Sequence, residues 1–362
     1  MRGVWQYWYD HILTSPPSSA VVSDFVEIDW GFIIGFVLSL AALLLTFDGI
    51  CGERQAGTLK LLLSGAVPRV AVLGGKYAAA LMVLGLALVL GLGVNLLIIG
   101  LFGPISLDVE VWGKIATMGL AASLYLAFFV GLGLLVSSRF ERPAASLVTL
   151  LLIWSVTVIL LPNTTAGLIS SFQKPLDWDK YSEAAEDLEA RHRIRSLEDP
   201  NPGGEKPYAH LKKIADYLEE LDKLVRQREK LILKNQLEQV ELGRKLNRIT
   251  PFGSFQYALE SLSDTGFSRH LRLIEAANRY REIFNSFIAE EDAGDPDSHH
   301  LMRLMDGLSR KSVQFEAVPK FKEDLSARAT VAATAPDLLL LGLFALGAFM
   351  GAYLVFLRSE VA

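Results

Sequence analysis

The chain has 362 residues, of which 51% are hydrophobic, and its mean hydropathy is +0.33. Its formal net charge is −5, and the charged residues are concentrated in one block, 177–328. Several other stretches are apolar on every helical face, and a soluble domain of this length does not bury that many. The composition therefore excludes an ordinary soluble protein and indicates a polytopic membrane protein.

Residues 1–30 form the first predicted segment. They contain no apolar run long enough to cross a bilayer, and Pro16 and Pro17 interrupt any helix through them. No basic region followed by an apolar stretch marks a signal peptide. The segment is therefore predicted to lie outside the membrane.

Five stretches are predicted to cross the membrane, since a bilayer core of about 30 Å needs roughly 20 apolar residues. They are residues 31–47, 72–101, 113–136, 144–161 and 336–357. Lys114 lies at the start of the third, where its ammonium group is expected to reach the headgroups. The spans are interpreted as otherwise free of charge, which argues against an ion-coupled carrier. The predicted fold is an all-α polytopic membrane protein with five transmembrane helices in this chain.

Basic residues in the short loops predict the orientation of these spans. Loop 48–76 contains four of them, loop 137–143 contains two and the tail begins with Arg358, whereas loop 103–112 has none. Because short basic loops stay in the cytoplasm, segments 1–30 and 162–335 are predicted to be extracytoplasmic. The predicted organisation is segment 1–30, spans 31–161 with the cytoplasmic loop 48–76, the outer domain 162–335, and the last span with its tail, 336–362.

The inserted outer domain is predicted to be α-helical. Helices are predicted over about 178–197, 208–247, 267–290 and 299–315. Apolar residues in the second of these follow a heptad pattern, interrupted by Arg228: Leu211, Ile214, Leu218, Leu221, Val225 and Ile232. The seam fits a helical hairpin within the chain or a coiled coil between chains, and the hairpin is favoured.

No catalytic residue and no metal site is predicted. Gly74-Gly75-Lys76 lacks the spacing of a phosphate-binding loop, and no Cys/His cluster or nucleophile elbow occurs. The single cysteine, Cys51, is predicted to face the cytoplasm, so the outer domain has no intrachain disulfide. An intramembrane enzyme is disfavoured because no nucleophile–base pair lies within a span.

Loop 48–76 is the most informative stretch. Its leucines predict a short helix, Thr58–Ser64, with Leu59, Leu62 and Leu63 on one side, and Pro68 redirects the chain toward the next span. Glu53 and Arg54 place opposite charges where the preceding span leaves the membrane. A surface ion pair contributes less than about 1 kcal/mol, so docking of this helix on a partner is expected to depend on the leucines.

The loop resembles the signature of ABC-2 type transporter permeases. The matching positions are Asp48, Glu53, Arg54, Gly57, Thr58, Leu59, Leu61, Leu62, Leu63, Ser64, Pro68, Arg69, Gly75 and Lys76. Residues 249–254, Ile-Thr-Pro-Phe-Gly-Ser, with Tyr257-Ala258, are similar to a second stretch of the family. The chain is most similar to the subgroup with a large extracytoplasmic domain before the last span, which includes permeases of copper-site maturation and gliding motility.

The resemblance implies that the loop is a coupling helix that docks on a separate ATPase subunit. The chain would then not be an enzyme by itself and would hold no cofactor, with ATP and magnesium bound by the partner. The implied coupling residues are Asp48, Glu53, Arg54, Gly57, Thr58, Leu59, Leu62, Leu63, Pro68, Arg69 and Lys76. Other implied partners are a second permease copy or paralogue, membrane lipid and a periplasmic protein, but no nucleic acid, in a bacterial inner membrane.

Two functions fit this resemblance. The first is export driven by the ATPase, and the alternative is a non-transporting permease that moves its outer domain to act on envelope partners. The family has six spans rather than five, so either the start codon is assigned late or a neighbouring polypeptide supplies the first span. We expect the DNA upstream of Met1 to encode, in frame, about 20 apolar residues preceded by Lys or Arg. Neighbouring genes are expected to separate the two functions.

Overall fold

A computed structural model describes residues 29–65, 67–102, 108–162, 164, 183, 186–187, 190–191, 207–301, 308–322 and 327–358. Within these ranges the regular elements are all helices, which confirms the all-α prediction. In chain order they are α1 Trp30–Leu44, α2 Cys51–Gln55, α3 Thr58–Ser64, α4 Arg69–Phe102, α5 Val109–Arg139, α6 Pro143–Leu160, α7 Pro207–Asn247, α8 Pro251–Leu262, α9 Phe267–Ala293 and α10 Ala327–Arg358. A short 3-10 turn, Phe315–Ala317, precedes α10.

Four helices in the described ranges are long and apolar enough to cross a membrane. They are Arg69–Phe102, Val109–Arg139, Pro143–Leu160 and the Thr334–Arg358 part of α10. They correspond to four of the five predicted spans. The remaining candidate, 31–47, contains the shorter apolar helix α1, so a fifth span stays a prediction.

Contacts divide the chain into two compact units. The first comprises the described residues of Met1–Phe102, Tyr125–Leu152 and Ala345–Ala362, and the second those of Gly103–Leu124 and Ile153–Phe344. In the first unit, small residues let helices approach closely, as expected for packing in a membrane. A Cβ atom on Gly131 would lie 3.0 Å from the Cβ of Ala348, and one on Gly351 would lie 2.6 Å from Leu135 Cδ1.

A π-helical turn, Ile33–Leu38, interrupts α1 inside the first unit. Such a turn displaces the regular backbone hydrogen bonds, and here two buried hydroxyls compensate. Ser39 Oγ donates to the carbonyl of Gly35 at 2.6 Å, and Tyr125 Oη donates to the same oxygen at 2.9 Å. The phenol of Tyr125 therefore fixes α1 to α5 in the apolar interior.

In the second unit, two predicted outer-domain helices are confirmed: 208–247 by α7 and 267–290 by α9. The predicted helix 178–197 lies almost entirely outside the described residues. Along the heptad seam, Ile214, Leu218, Leu221 and Val225 are half-buried. The side chains of Leu211, Arg228 and Ile232 are not described, and both the hairpin and the coiled coil remain predictions.

The helix predicted over 299–315 is wrong in its described parts, because residues 299–301 and 308–314 are not helical. Two aspartates at the end of α9 hold this segment in a loop. Asp292 accepts hydrogen bonds from Ser298 Oγ at 2.5 Å and from the Ser309 N–H at 2.6 Å, and it contacts His300 Nδ1 at 2.8 Å. Asp295 accepts from Ser309 Oγ at 2.5 Å. Such local side-chain hydrogen bonds compete with helix formation.

The same contacts predict acid sensitivity. Burial on its own would raise the pKa of Asp292, but hydrogen bonds from Ser298, His300 and the Ser309 N–H outweigh it and lower that pKa. The hydrogen bond from the Ser309 hydroxyl lowers the pKa of Asp295. Because these carboxyls ionise more readily when folded, their contribution to stability is present above the unfolded pKa of about 3.9 and is lost as the pH falls through and below it.

We therefore expect wild-type protein to unfold at a higher temperature than the Asp292→Asn variant at neutral pH. That difference should be smaller near pH 3, where the unfolded aspartate is largely protonated. Thermal unfolding of both proteins at the two pH values measures it. An undiminished difference at the acidic pH would show that the charge of Asp292 does not stabilise the loop.

Candidate coupling site

The short helix α3 begins and ends at the predicted residues, Thr58 and Ser64. Gly57, with φ +74°, has the left-handed conformation that allows the sharp turn between α2 and α3. Thr58 Oγ1 donates to the carbonyl of Glu53 at 3.2 Å and links the two helices. Pro68 lies before α4, and its carbonyl accepts from the N–H of Ala71 at 2.9 Å. These residues give the loop a defined shape.

The segment before α2 is fixed to the ends of two spans. Ser137 Oγ, in α5, accepts from the N–H groups of Ile50 at 2.9 Å and Cys51 at 3.2 Å. Ser146 Oγ, in α6, donates to the carbonyl of Phe47 at 2.8 Å. Sequence reasoning missed both serines, whose only signal is their position in and beside the basic loop 137–143.

Arg54 holds the C-terminal end of α5. Its Nη1 donates to the carbonyl of Phe140 and its Nη2 to that of Ser138, each at 3.2 Å. The last carbonyls of a helix lack partners within the helix, and a cation there also interacts favourably with the helix dipole. Glu53 instead pairs with Lys76, with Oε1 and Nζ 2.6 Å apart. The adjacent charges at 53 and 54 thus have separate partners.

Arg69 likewise binds the last backbone carbonyls of α10. Its Nη1 donates to the carbonyls of Phe356 at 3.1 Å and Leu357 at 2.8 Å. The guanidinium carbon also lies 5.9 Å from the centroid of the Phe356 ring, within the range of a cation–π contact. Arg54, Arg69 and the pair of Glu53 and Lys76 therefore attach the loop to the spans, whereas Asp48 and Lys60 are exposed.

The leucines of α3 do not form the face that was predicted. Leu59 is only 1% exposed and packs inside the chain, whereas Leu61 is 76% and Leu62 38% exposed, and Leu63 is half-buried. The predicted docking side is therefore wrong at Leu59, and it omitted Leu61. Helical spacing identified one apolar side but could not tell which leucines the spans would cover.

Exposed apolar side chains continue beyond α3. Val67 and Val70 are about half exposed, and together with Leu61 and Leu62 they form what we call the α3 patch. A shallow groove of about 540 Å³ runs beside it, lined by Lys60, Leu63, Ser64, Val67, Pro68 and Arg69. Asp48 and Lys60 are exposed near the patch in sequence. Clustered exposed apolar residues of this kind are typical of a docking surface.

A metal site or a reactive thiol would be an alternative kind of functional site in the described residues. Within the described ranges, no group of three or more His, Cys, Asp or Glu side chains is placed to hold a metal ion. Cys51 is fully buried, with its Sγ 3.2 Å from the carbonyl of Phe47. Loop 48–76 therefore contains a short helix, α3, whose flanking residues are bound to the spans and whose exposed side chains include leucines.

The sequence profile of ABC-2 family transporter proteins matches residues 9–361. The chain belongs to the ABC-2 transporter family. This confirms the resemblance predicted from loop 48–76 and residues 249–258, and it makes the chain an ABC transporter permease of the multi-pass membrane type. The finer assignment to a subgroup stays a prediction.

Two curated relatives of this permease are similar over shorter stretches. It is 34% identical over 128 residues to the probable ABC transporter permease protein NosY of Pseudomonas aeruginosa, which covers 34% of this chain and 46% of that protein. It is 42% identical over 66 residues to NosY of Stutzerimonas stutzeri, covering 18% and 24%. The matches span less than half the length of either relative.

Proposed function

We propose that the chain is the membrane-spanning permease subunit of an ATP-driven ABC-2 transporter and that the α3 patch docks on a separate ATPase subunit. The observation that carries this proposal is the exposure of Leu61 and Leu62 on a helix whose neighbours are bound to the spans. Burial of apolar surface contributes about 25 cal/mol per Å², so these leucines are suited to supply much of the docking energy.

The contacts around the patch support transmission of force from the docked ATPase. Arg54 attaches the loop to α5, and Arg69 attaches it to α10. Ser137 and Ser146 bind the backbone just before α2. A displacement of α3 would therefore move the ends of several spans together, which is what coupling requires.

The proposal extends to the partners and their placement. ATP and magnesium would be bound by the ATPase subunit, and this chain would contribute no catalytic residue. Loop 48–76 would lie in the cytoplasm of a bacterial cell and segment 162–335 outside its inner membrane, as the short basic loops predict. A second permease subunit would complete the transmembrane pathway.

The test is co-purification from membranes of the native host. We expect the wild-type chain to retain a subunit with a GxxxxGK[ST] phosphate loop, and we expect the purified complex to hydrolyse Mg-ATP. The variant Leu61→Asp/Leu62→Asp should lose both properties, because two carboxylates cannot be buried without partners. Mass spectrometry and phosphate release measure the two outcomes.

The matched control is Leu242→Asp/Leu246→Asp, which changes two leucines of α7 that are 47% and 42% exposed. This control should keep the ATPase and its activity. Retention of the ATPase by the α3 variant, or its loss from the control alone, would contradict docking through the α3 patch.

A second function, mechanical action on envelope partners without transport, rests on a different observation. The outer helices α7 and α8 are attached to spans by ion pairs, Arg248 with Asp337 and Lys114 with Asp264. Such attachments would allow movement of the spans to reach the outer domain. Uptake of cargo into inverted vesicles would favour export, and its absence with continued movement of α7 would favour the mechanical function.

A further inference from the structure

The turn between α7 and α8 is unusually well fixed. Thr250 Oγ1 accepts from the N–H of Gly253 at 3.0 Å and donates to the carbonyl of Asn247 at 2.8 Å. Ser254 Oγ donates to the carbonyl of Arg248 at 2.9 Å. A Cβ atom on Gly253 would lie 2.1 Å from the Asn247 carbonyl oxygen, so only glycine fits there. The end of α7 is therefore held rigidly against the start of α8.

Helix α8 is the most deeply buried helix of the outer domain within the described ranges. Nine of its residues are buried: Pro251, Phe252, Gly253, Ser254, Phe255, Tyr257, Ala258, Ser261 and Leu262. It packs against α7, α9 and the π-helical turn Ser155–Leu160 that ends α6. The second stretch that resembles the family, 249–258, covers the turn before α8 and most of α8 itself. The proposed docking of the ATPase gives this stretch no role.

The first attachment of this region to a span is the pair of Arg248 and Asp337. Nε of Arg248 lies 2.8 Å from Oδ1 of Asp337, and its Nη2 lies 3.2 Å from Oδ2. The Asp337 side chain is fully buried near the start of the apolar part of α10, which corrects the interpretation of the spans as free of charge. A carboxylate in such a place requires a partner, and Arg248 supplies it.

Arg248 and the nearby Arg244 both lie close to the ring of Tyr257, a residue of α8. The guanidinium carbon of Arg244 lies 3.9 Å from the ring centroid of Tyr257, and that of Arg248 lies 5.9 Å from it. Arg244 also pairs with Glu260 at 2.8 Å. The end of α7 is thus joined to α8 by two arginines, one of which, Arg248, also binds Asp337 of the last span.

The second attachment is the pair of Lys114 and Asp264, with Nζ and Oδ2 2.6 Å apart. Asp264 follows α8 in the left-handed conformation, with φ +52°, and its carbonyl accepts from Arg269 Nη1 at 2.9 Å. Lys114 lies in the first turns of α5. Its reach to the headgroups stays a prediction, and its ammonium group binds Asp264.

We propose that α8 and its two ion pairs form a transmission joint that passes movement of α5 and α10 to the long helix α7. This inference rests on the proposed coupling function. Loop 48–76 binds the C-terminal ends of the same two helices. Arg54 donates to a carbonyl at the end of α5, and Arg69 donates to one at the end of α10. With 41 residues, α7 is about 60 Å long, so a small rotation at α8 becomes a large displacement at its far end.

The test uses the full permease purified with its co-purifying ATPase in nanodiscs. Hydrogen–deuterium exchange of α7 is measured without nucleotide and after trapping with Mg-ATP and orthovanadate. In wild-type protein we expect the exchange of α7 to differ between the two states. In Asp264→Asn/Asp337→Asn this difference should disappear while ATP hydrolysis continues.

A second variant, Lys114→Gln/Arg248→Gln, removes the other member of each pair and should give the same result. Glu219→Gln is the control, because it breaks the exposed pair of Glu219 and Lys223 on α7, 2.8 Å apart, without changing either pair of the joint, and it should keep the wild-type difference. Continued hydrolysis by the purified complex shows that each variant still binds its ATPase.

The outcomes separate the two proposals. A nucleotide-dependent difference that persists in both joint variants, or that is missing from the hydrolysing wild-type complex, would overturn the joint and leave ATPase docking intact. A wild-type chain that retains no ATPase would overturn the coupling proposal and the joint with it. Loss of the difference in both joint variants alone, with hydrolysis retained, supports the joint.

Discussion

Gly133→Ala is expected to lower the thermal unfolding temperature of the permease markedly. A Cβ atom at position 133 would lie 1.8 Å from Thr46 Oγ1 and 2.8 Å from Thr46 Cβ. Thr46 cannot turn aside freely, because its hydroxyl donates to the carbonyl of Ala42 at 2.7 Å. Overpacking of a tight contact costs about 1–3 kcal/mol, which exceeds the gain of up to about 1 kcal/mol that alanine brings to a helix.

Gly119→Ala is the matched control for this prediction. Gly119 lies on the same helix, α5, and a Cβ atom there meets no neighbour within 4 Å. Its substitution should leave the unfolding temperature unchanged or raise it slightly. If both substitutions had equal effects in a fluorescence-detected unfolding assay, the close approach of α5 to the end of α1 would be wrong.

Arg54→Ala is expected to destabilise the first unit and to weaken ATPase coupling. The substitution removes the donors to the carbonyls of Ser138 and Phe140. A buried acceptor left without a partner costs about 1–3 kcal/mol. Arg54→Lys should recover only part of this loss, because a lysine lacks the planar fork that reaches both oxygens.

The neighbouring exposed Arg139 provides the control, since it carries the same charge at the end of α5. Arg139→Ala should change the unfolding temperature by much less than Arg54→Ala. An equal loss from both variants would indicate a general effect of basic charge rather than the specific contact of Arg54 with the helix end.

Helix positions were largely predictable from sequence because they depend on local pattern. Thr58–Ser64 was predicted to the residue, and α7 begins one residue before its predicted start. Apolar length likewise located four of the five candidate spans. The helix predicted over 299–315 failed because Asp292 accepts from the Ser309 N–H and Asp295 accepts from the Ser309 hydroxyl, and hydrophobic periodicity does not register such contacts.

The partners of the charged residues could not be predicted, because they join distant parts of the chain. Arg54 and Ser138 are 84 residues apart, and Arg69 and Leu357 are 288 residues apart. Local spacing also could not show that Leu59 packs inward while Leu61 faces outward. The sequence therefore indicated where the candidate site lies, although the role of this site stays a prediction, and the three-dimensional packing decided which of its residues support the loop and which are exposed.

The most direct test of the central claim is photo-crosslinking from the α3 patch in intact cells. A photoreactive benzoylphenylalanine placed at position 61 should form an adduct with a subunit that contains a GxxxxGK[ST] phosphate loop. The same probe at position 242, on exposed α7, should form none. Absence of the adduct from position 61, together with an adduct to that subunit from position 242, would contradict docking of the ATPase on α3.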